Sequence, residues 1–143
     1  MTKTAKIKEV EHSAVWSWRS RAARDHVSLK DSRRTRWFKA GDLGCAGLYT
    51  MGSGRARLKG IWVDPAFRHQ GIGTRLTEHL MALARAEDFN HIEAYAWDGK
   101  WYLARGFTSI GRNAHGAERF VLKYLENNRP IGPSDLDKSI RGV

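Results

Sequence analysis

The sequence has one cysteine, three prolines and no apolar run near the ~20 residues that a membrane-crossing helix needs. A lone Cys45 excludes an internal disulfide and a thiolate zinc cluster. The start, Met1-Thr2-Lys3-Thr4-Ala5-Lys6, carries some positive charge with no apolar region behind it, so no signal peptide is expected. The default expectation is an intracellular, cytoplasmic protein with no metal and no membrane partner. Acidic side chains are the scarcer sign, Asp+Glu 15 against Lys+Arg 25, a net charge of +10. A length of 143 residues, with 41% hydrophobic and 28% charged, fits one globular domain and excludes a wholly disordered chain.

The positive charge is uneven. Residues 1–60 hold 14 basic and 5 acidic side chains, whereas residues 61–143 hold 11 and 10. An electropositive half attracts anionic partners without dictating a fold.

Hydrophobic periodicity gives the organisation. Val10, Ala14, Trp18 and Ala22 recur every four residues and predict a helix over 10–24. Residues 30–36 have no apolar period and read as a basic loop. Strands are predicted at 37–40, 45–51 and 58–63, the last stopped by Asp64-Pro65. Leu76, Leu80 and Leu83 form the stripe of a long helix after Gly73. A strand at 92–97, a short helix at 101–105 ended by Gly106, and a hairpin of strands at 107–111 and 119–124 follow. The tail from Asn127 lacks a period. This order predicts a mixed α/β sheet in which 58–63 and 92–97 are parallel neighbours joined by the long helix.

The chemically informative segment is Ile61-Trp62-Val63-Asp64-Pro65-Ala66-Phe67-Arg68-His69-Gln70-Gly71-Ile72-Gly73-Thr74. Two glycines one residue apart, between a strand and a helix start, leave backbone N–H groups bare and suited to a pyrophosphate. A plain strand-to-helix turn would use the same glycines. Position 76 is leucine, which removes the dinucleotide-binding fingerprint, and no Gly-Lys-Ser/Thr exists for a Walker loop. The histidines lack metal-ligand spacing, and Cys45 sits in an apolar strand.

Arg68, Gly71 and Gly73 match the Arg/Gln-x-x-Gly-x-Gly/Ala pattern that follows a strand ending Val-Asp-Pro, here Val63-Asp64-Pro65. Tyr102 stands four residues before Gly106-Phe107. On these motifs the chain, over roughly residues 37–125, resembles the GNAT-type N-acetyltransferases. The resemblance implies a single α/β domain, residues 1–126, with a mixed sheet, splayed central parallel strands and flanking helices; residues 127–143 would be a C-terminal extension. It implies acetyl-CoA as acyl donor and direct attack by an amine. Ile61, Trp62 and Val63 would contact the pantetheine and acyl carbonyl; Arg68, His69, Gln70, Gly71, Ile72, Gly73 and Thr74 would surround the pyrophosphate. Tyr102 would protonate the departing thiolate, or else be a core aromatic. Glu93 would be the base, or else a solvent-facing charge; alternation groups it with Tyr95 and Trp97. The family often has asparagine six residues before the tyrosine, and position 96 is alanine. Asp98 would replace it as helix cap and is the reserve base.

The resemblance implies that the acceptor lies at the N-terminal side, so residues 1–36 are the expected acceptor side. Arg33, Arg34, Arg36 and Trp37 are the candidate substrate-binding residues, because arginine and tryptophan together suit nucleic acid; the other reading is that the tryptophans fill the core and the arginines solvate the surface. Similarity to Mom-type phage DNA-modification enzymes adds nucleic acid to the expected acceptors. A homodimer and a non-catalytic acyl-CoA- or nucleic-acid-binding domain are the other readings.

Overall fold

In the computed structural model, residues 5–114 and 116–124 are described. The expected extension at 127–143 lies outside them. The chain runs β1 (Ile7–Val10), α1 (Ser13–Trp16), α2 (Arg19–Arg24), β2 (Thr35–Ala40), β3 (Gly44–Gly52), β4 (Arg55–Val63), α3 (Ile72–Ala86), β5 (His91–Ala96), α4 (Lys100–Ala104), β6 (Thr108–Arg112) and β7 (Glu118–Lys123). A 3-10 turn, Pro65–Phe67, links β4 to α3. One seven-stranded sheet has the order β1-β2-β3-β4-β5-β7-β6, with β4 and β5 parallel and every other pair antiparallel. The mixed sheet and its central parallel pair are as the sequence predicts. Among the described residues no helix is long and apolar enough to cross a membrane.

Each face of the sheet has its own core. Phe38, Leu48, Leu58, Ile92 and Phe120 pack with Leu76, Leu80 and Ala84 of α3 in one cluster. Val15, Ala22 and Leu29 close the other over Trp37, Cys45 and Trp62. Cys45 is accordingly inert, its thiol pushed up to about 12 by burial.

The single helix expected over 10–24 is corrected. Val10 belongs to an edge strand and pairs with Trp37, which its extended backbone allows and a helix would not. The helix then breaks at Ser17-Trp18 into α1 and α2. The break lets Trp18 turn onto the Trp62 ring, with centroids 5.4 Å apart, beneath the Lys39 ammonium at 4.7 Å. Of the four-residue stripe, Ala22 is buried in the core that holds Trp62 and Val10 and Trp18 pack against it, with Val15 buried beside them, while Ala14 is not part of it. The stripe is not one helix.

The feature that prepares a site is in β4. Its register against β3 shifts between the pairs Cys45↔Trp62 and Gly47↔Lys59. At this bulge Gly60 adopts φ +60, a left-handed backbone that glycine enters without a Cβ penalty. Before the bulge Ala56 and Leu58 pack in the α3 cluster; after it Ile61 and Val63 do, and Trp62 turns to the opposite face. The β4–β5 ladder joins only Arg55–Leu58 to His91–Ala94. Beyond it β5 continues to pair with β7 as far as Ala96↔Glu118, and β4 with β3 as far as Val63↔Gly44. The central strands thus fork.

A Cβ at Gly60 would stand 2.6 Å and 2.8 Å from Trp37 Cζ3 and Cη2. Gly60→Ala should therefore cost about 2–4 kcal/mol from overpacking and left-handed strain together, read as a lowered denaturation midpoint. An unchanged midpoint would show that the bulge does not constrain the fold.

Candidate active site

At the mouth of the fork the chain leaves β4 through a turn that its own side chains set. Asp64 accepts a hydrogen bond from the Ala66 amide at 3.0 Å, and Pro65 opens the 3-10 turn. His69 and Gly71 then take left-handed conformations, φ 63 and φ 80, which reverse the backbone into α3. Gly71 is the helix N-cap and no side chain caps that end. A Cβ at Gly71 would meet nothing within 4 Å, and one at Gly73 only Val63 Cγ2 at 3.6 Å. No side chain caps or crowds the start of this 15-residue helix, where its dipole favours an anion.

This cradle opens into a cleft of about 460 Å³. The fork strand contributes Ile61, Trp62 and Val63, the loop contributes Arg68, His69 and Gly71, and α3 contributes Ile72, Gly73, Thr74 and Thr77. The far wall is Trp101 and Tyr102 of α4. Trp101 donates its indole N–H to Thr74 Oγ1 at 2.9 Å, which fastens α4 to the first turn of α3. Tyr102 stacks on Phe120 (centroids 5.6 Å) and meets Phe107 edge-on (5.1 Å). Burial pushes its phenol up to about 12, so it stays protonated across the neutral range.

A residue the sequence did not single out organises the near wall. Asp25, at the end of α2, lines the cleft. Its Oδ2 accepts from Trp62 Nε1 at 2.9 Å and from Arg68 Nη2 at 2.7 Å. The indole hydrogen bond and the guanidinium hold its carboxyl below the usual range. Arg68 also donates Nε to the Val63 carbonyl at 2.9 Å, and Arg21 pairs with Asp64 at 3.1 Å. Thus Arg21-x-x-x-Asp25 on α2 meets Asp64-x-x-x-Arg68 on the loop, charge against charge. The spacing was visible in sequence; the meeting of the two segments was not.

Other expected site residues lie elsewhere. Gln70 is exposed and outside the cleft lining. Asp98 accepts from the Lys100 amide at 3.1 Å and so supports the start of α4. Glu93 shares its strand face with Tyr95, as alternation predicts, yet it is 0% exposed and does not line the cleft. Burial alone would raise its carboxyl, but hydrogen bonds from Arg119, Arg57 and His91 outweigh this and hold it below the usual range. A carboxylate so committed is not free to take an amine proton, which corrects its reading as base. Arg33 and Arg34 are exposed. Arg36 is held by Glu9 at 2.8 Å and Glu87 at 2.6 Å, and Trp37 is 2% exposed with its indole N–H on Asp31 at 2.9 Å. Arg36 and Trp37 therefore serve the fold. A buried indole has no free face for stacking a base.

A forked central sheet, an open cradle of helix amides at the fork and a buried tyrosine beside it define an acyltransferase type of α/β domain. The model of the acetyltransferase (GNAT) family matches residues 4–107. An amino-acid acetyltransferase of Mycobacterium tuberculosis is 27% identical over 78 residues; the match covers 54% of this chain and 45% of that one, so the chain spans about half the length of this relative. Among solved structures, a Mycobacterium tuberculosis protein in complex with CoA superposes with TM-score 0.67 at 16% identity, covering 84% of this chain and 99% of the other. N-acetylglutamate synthase of Neisseria gonorrhoeae, complexed with coenzyme A and N-acetyl-glutamate, gives TM-score 0.68 at 17% identity, covering 85% and 35%. The chain belongs to the GNAT acetyltransferase family.

The Tyr102 environment has a stability consequence. Its phenol rises from 10.0 to about 12 on folding, so the stability it contributes is fully present below pH 10.0 and is lost as pH climbs to about 12. The difference in unfolding free energy between wild type and Tyr102→Phe should shift against the wild type across that window. A flat difference would place the hydroxyl in water.

Proposed function

We propose that the protein transfers an acetyl group from acetyl-CoA to the amine of an amino-acid-like acceptor. One observation carries this reading: the helix-start cradle, the unpaired fork edge of β4 and the Tyr102 wall share a single cleft. The residues fit the donor. Bare amides around Gly71 and Gly73 suit its pyrophosphate, and the backbone of Ile61–Val63, which makes no ladder pair with β5, suits the amides of a pantetheine arm. The acceptor class rests on the named activities of the amino-acid acetyltransferase and the N-acetylglutamate synthase that the chain resembles.

In this mechanism the amine nitrogen attacks the thioester carbonyl carbon and a C–N bond forms. The tetrahedral adduct collapses, the C–S bond breaks, and the thiolate takes the Tyr102 proton. A donor held protonated by burial is suited to that step, and solvent restores its proton. With Glu93 occupied by its cations, Asp98 at the head of α4 is the proposed acceptor of the amine proton, relayed by water. A nucleic-acid acceptor, expected from the charge of residues 1–60, is not favoured, because Arg36 and Trp37 are engaged in the fold.

Tyr102→Phe should lower kcat by ~10²-fold or more with acetyl-CoA affinity nearly unchanged. Gly73→Val, whose Cβ would stand in ordinary contact 3.6 Å from Val63 Cγ2, should leave the melting profile close to wild type and weaken CoA binding in calorimetry. Full affinity in that folded variant would remove the cradle from the mechanism. Asp98→Asn should lower kcat with acetyl-CoA affinity nearly unchanged; an unchanged kcat would take the base elsewhere.

A further inference from the structure

Glu93 is the one carboxylate among the described residues with no exposed surface, and the mechanism does not use it. It lies on the sheet face opposite α3, since its strand neighbours Ile92 and Ala94 pack in the α3 cluster. Four cationic or ionisable groups surround it. Arg57 and Arg119 approach to 2.9 Å and 2.6 Å, His91 to 3.3 Å and Arg55 to 3.8 Å. Such a cluster is poorly explained as a stabilising device, because burying a carboxylate loses its hydration and a packed apolar side chain does as well. What it achieves is orientation. Arg57 turns its Nε and Nη2 edge to Oε1, and Arg119 its Nε and Nη2 edge to Oε2. In each case the Nη1 end is turned away from Glu93. Each arginine side chain remains 31% exposed. Arg57 is further bracketed by the Tyr95 and Tyr49 rings, 5.2 Å and 5.8 Å from its guanidinium carbon.

Two long cationic side chains, normally costly to immobilise, are thus fixed before any ligand arrives. They stand at the root of the fork: Arg57 pairs with Glu93 in the last stretch of β4–β5 ladder, and Arg119 pairs with Tyr95 just past it. Arg57 precedes Ile61 by four residues along β4, on the near side of the Gly60 bulge. Tyr95, 37% exposed, is the first β5 residue past the ladder, opposite Arg119 and against the Arg57 guanidinium.

We propose that Arg57 and Arg119, locked by Glu93, form an anion subsite that holds a carboxylate on the amine acceptor, several bonds from its reacting nitrogen. The proposal rests on the acetyl-transfer reading and specifies its substrate class: amines that also carry a remote carboxylate. Guanidinium donors recognise that group with charge-assisted hydrogen bonds. Glu93 acts through the arginines and is a positioning residue.

The test is a series of ω-amino carboxylates of increasing chain length, each compared with its primary amide in steady-state acetylation. Wild type should prefer the carboxylate by at least tenfold in kcat/KM. Arg57→Gln and Arg119→Gln should bring that ratio near unity, chiefly through KM, with the acetyl-CoA dissociation constant unchanged; Arg119→Lys should restore part of it. Glu93→Gln separates positioning from bulk charge. Removing a negative charge would by itself lower the KM for carboxylates, whereas unlocking the arginines raises it. Equal use of carboxylate and amide by wild type, or variants that lose both alike, would overturn the subsite. If no amine is acetylated, the transfer reading fails, and glutarate titrated into wild type and Arg119→Gln still decides the subsite: weaker binding by the variant supports it, and equal binding or none overturns it.

Discussion

The separation of β4 from β5 beyond Leu58 and Ala94 is the constraint on which the rest of the molecule depends. Strands in a sheet normally pair along their length, because an unpaired buried amide or carbonyl is costly. Here β4 leaves the pairing because Gly60 inserts an extra left-handed residue, supported from behind by the Trp37 ring. The bulge exchanges the faces of the strand, so Ile61 and Val63 join the α3 core while Trp62 anchors the opposite one. Without that exchange the cofactor loop would leave the sheet in another direction, and the cradle, the fork edge and Tyr102 would not share a cleft.

Ion pairs then join the parts that the bulge positions. The loop that begins α3 is tied to α2 by Arg21–Asp64 and Asp25–Arg68, with the Trp62 indole between them. The helices of the expected acceptor side and the loop of the donor side are thereby connected through side chains partly open to water. Pairs of this exposure contribute little stability one by one, and their value lies in geometry. The same holds for Glu93 beneath its arginines, where charge is used to orient charge.

The net charge of +10 is distributed differently from what linear counting suggests. Arg36 is absorbed by Glu9 and Glu87, and Arg21 and Arg68 by the clip to the loop. The arginines oriented on the sheet are Arg57, from the basic half of the chain, and Arg119, from the nearly neutral half. A run such as Arg33-Arg34-Thr35-Arg36 draws attention because it is contiguous, but strand alternation divides it and partners arrive from distant segments.

Local pattern alone determined the mixed sheet, the long α3 stripe, the parallel central pair and the strand-loop-helix segment from Ile61 to Thr74, because periodicity and glycine placement are properties of neighbouring residues. The motifs also singled out Tyr102, which the fold brings to the cleft wall. Tertiary structure alone decided the break between α1 and α2, made so that Trp18 could reach Trp62, and the engagement of Arg36 and Trp37 in the fold. It also decided that Glu93 would be a buried anchor and Asp25 a wall of the cleft. The last two depend on a partner tens of residues away, Arg119 for Glu93 and Arg68 for Asp25. A carboxylate's role follows from the charges that surround it in space, and sequence spacing does not carry that information.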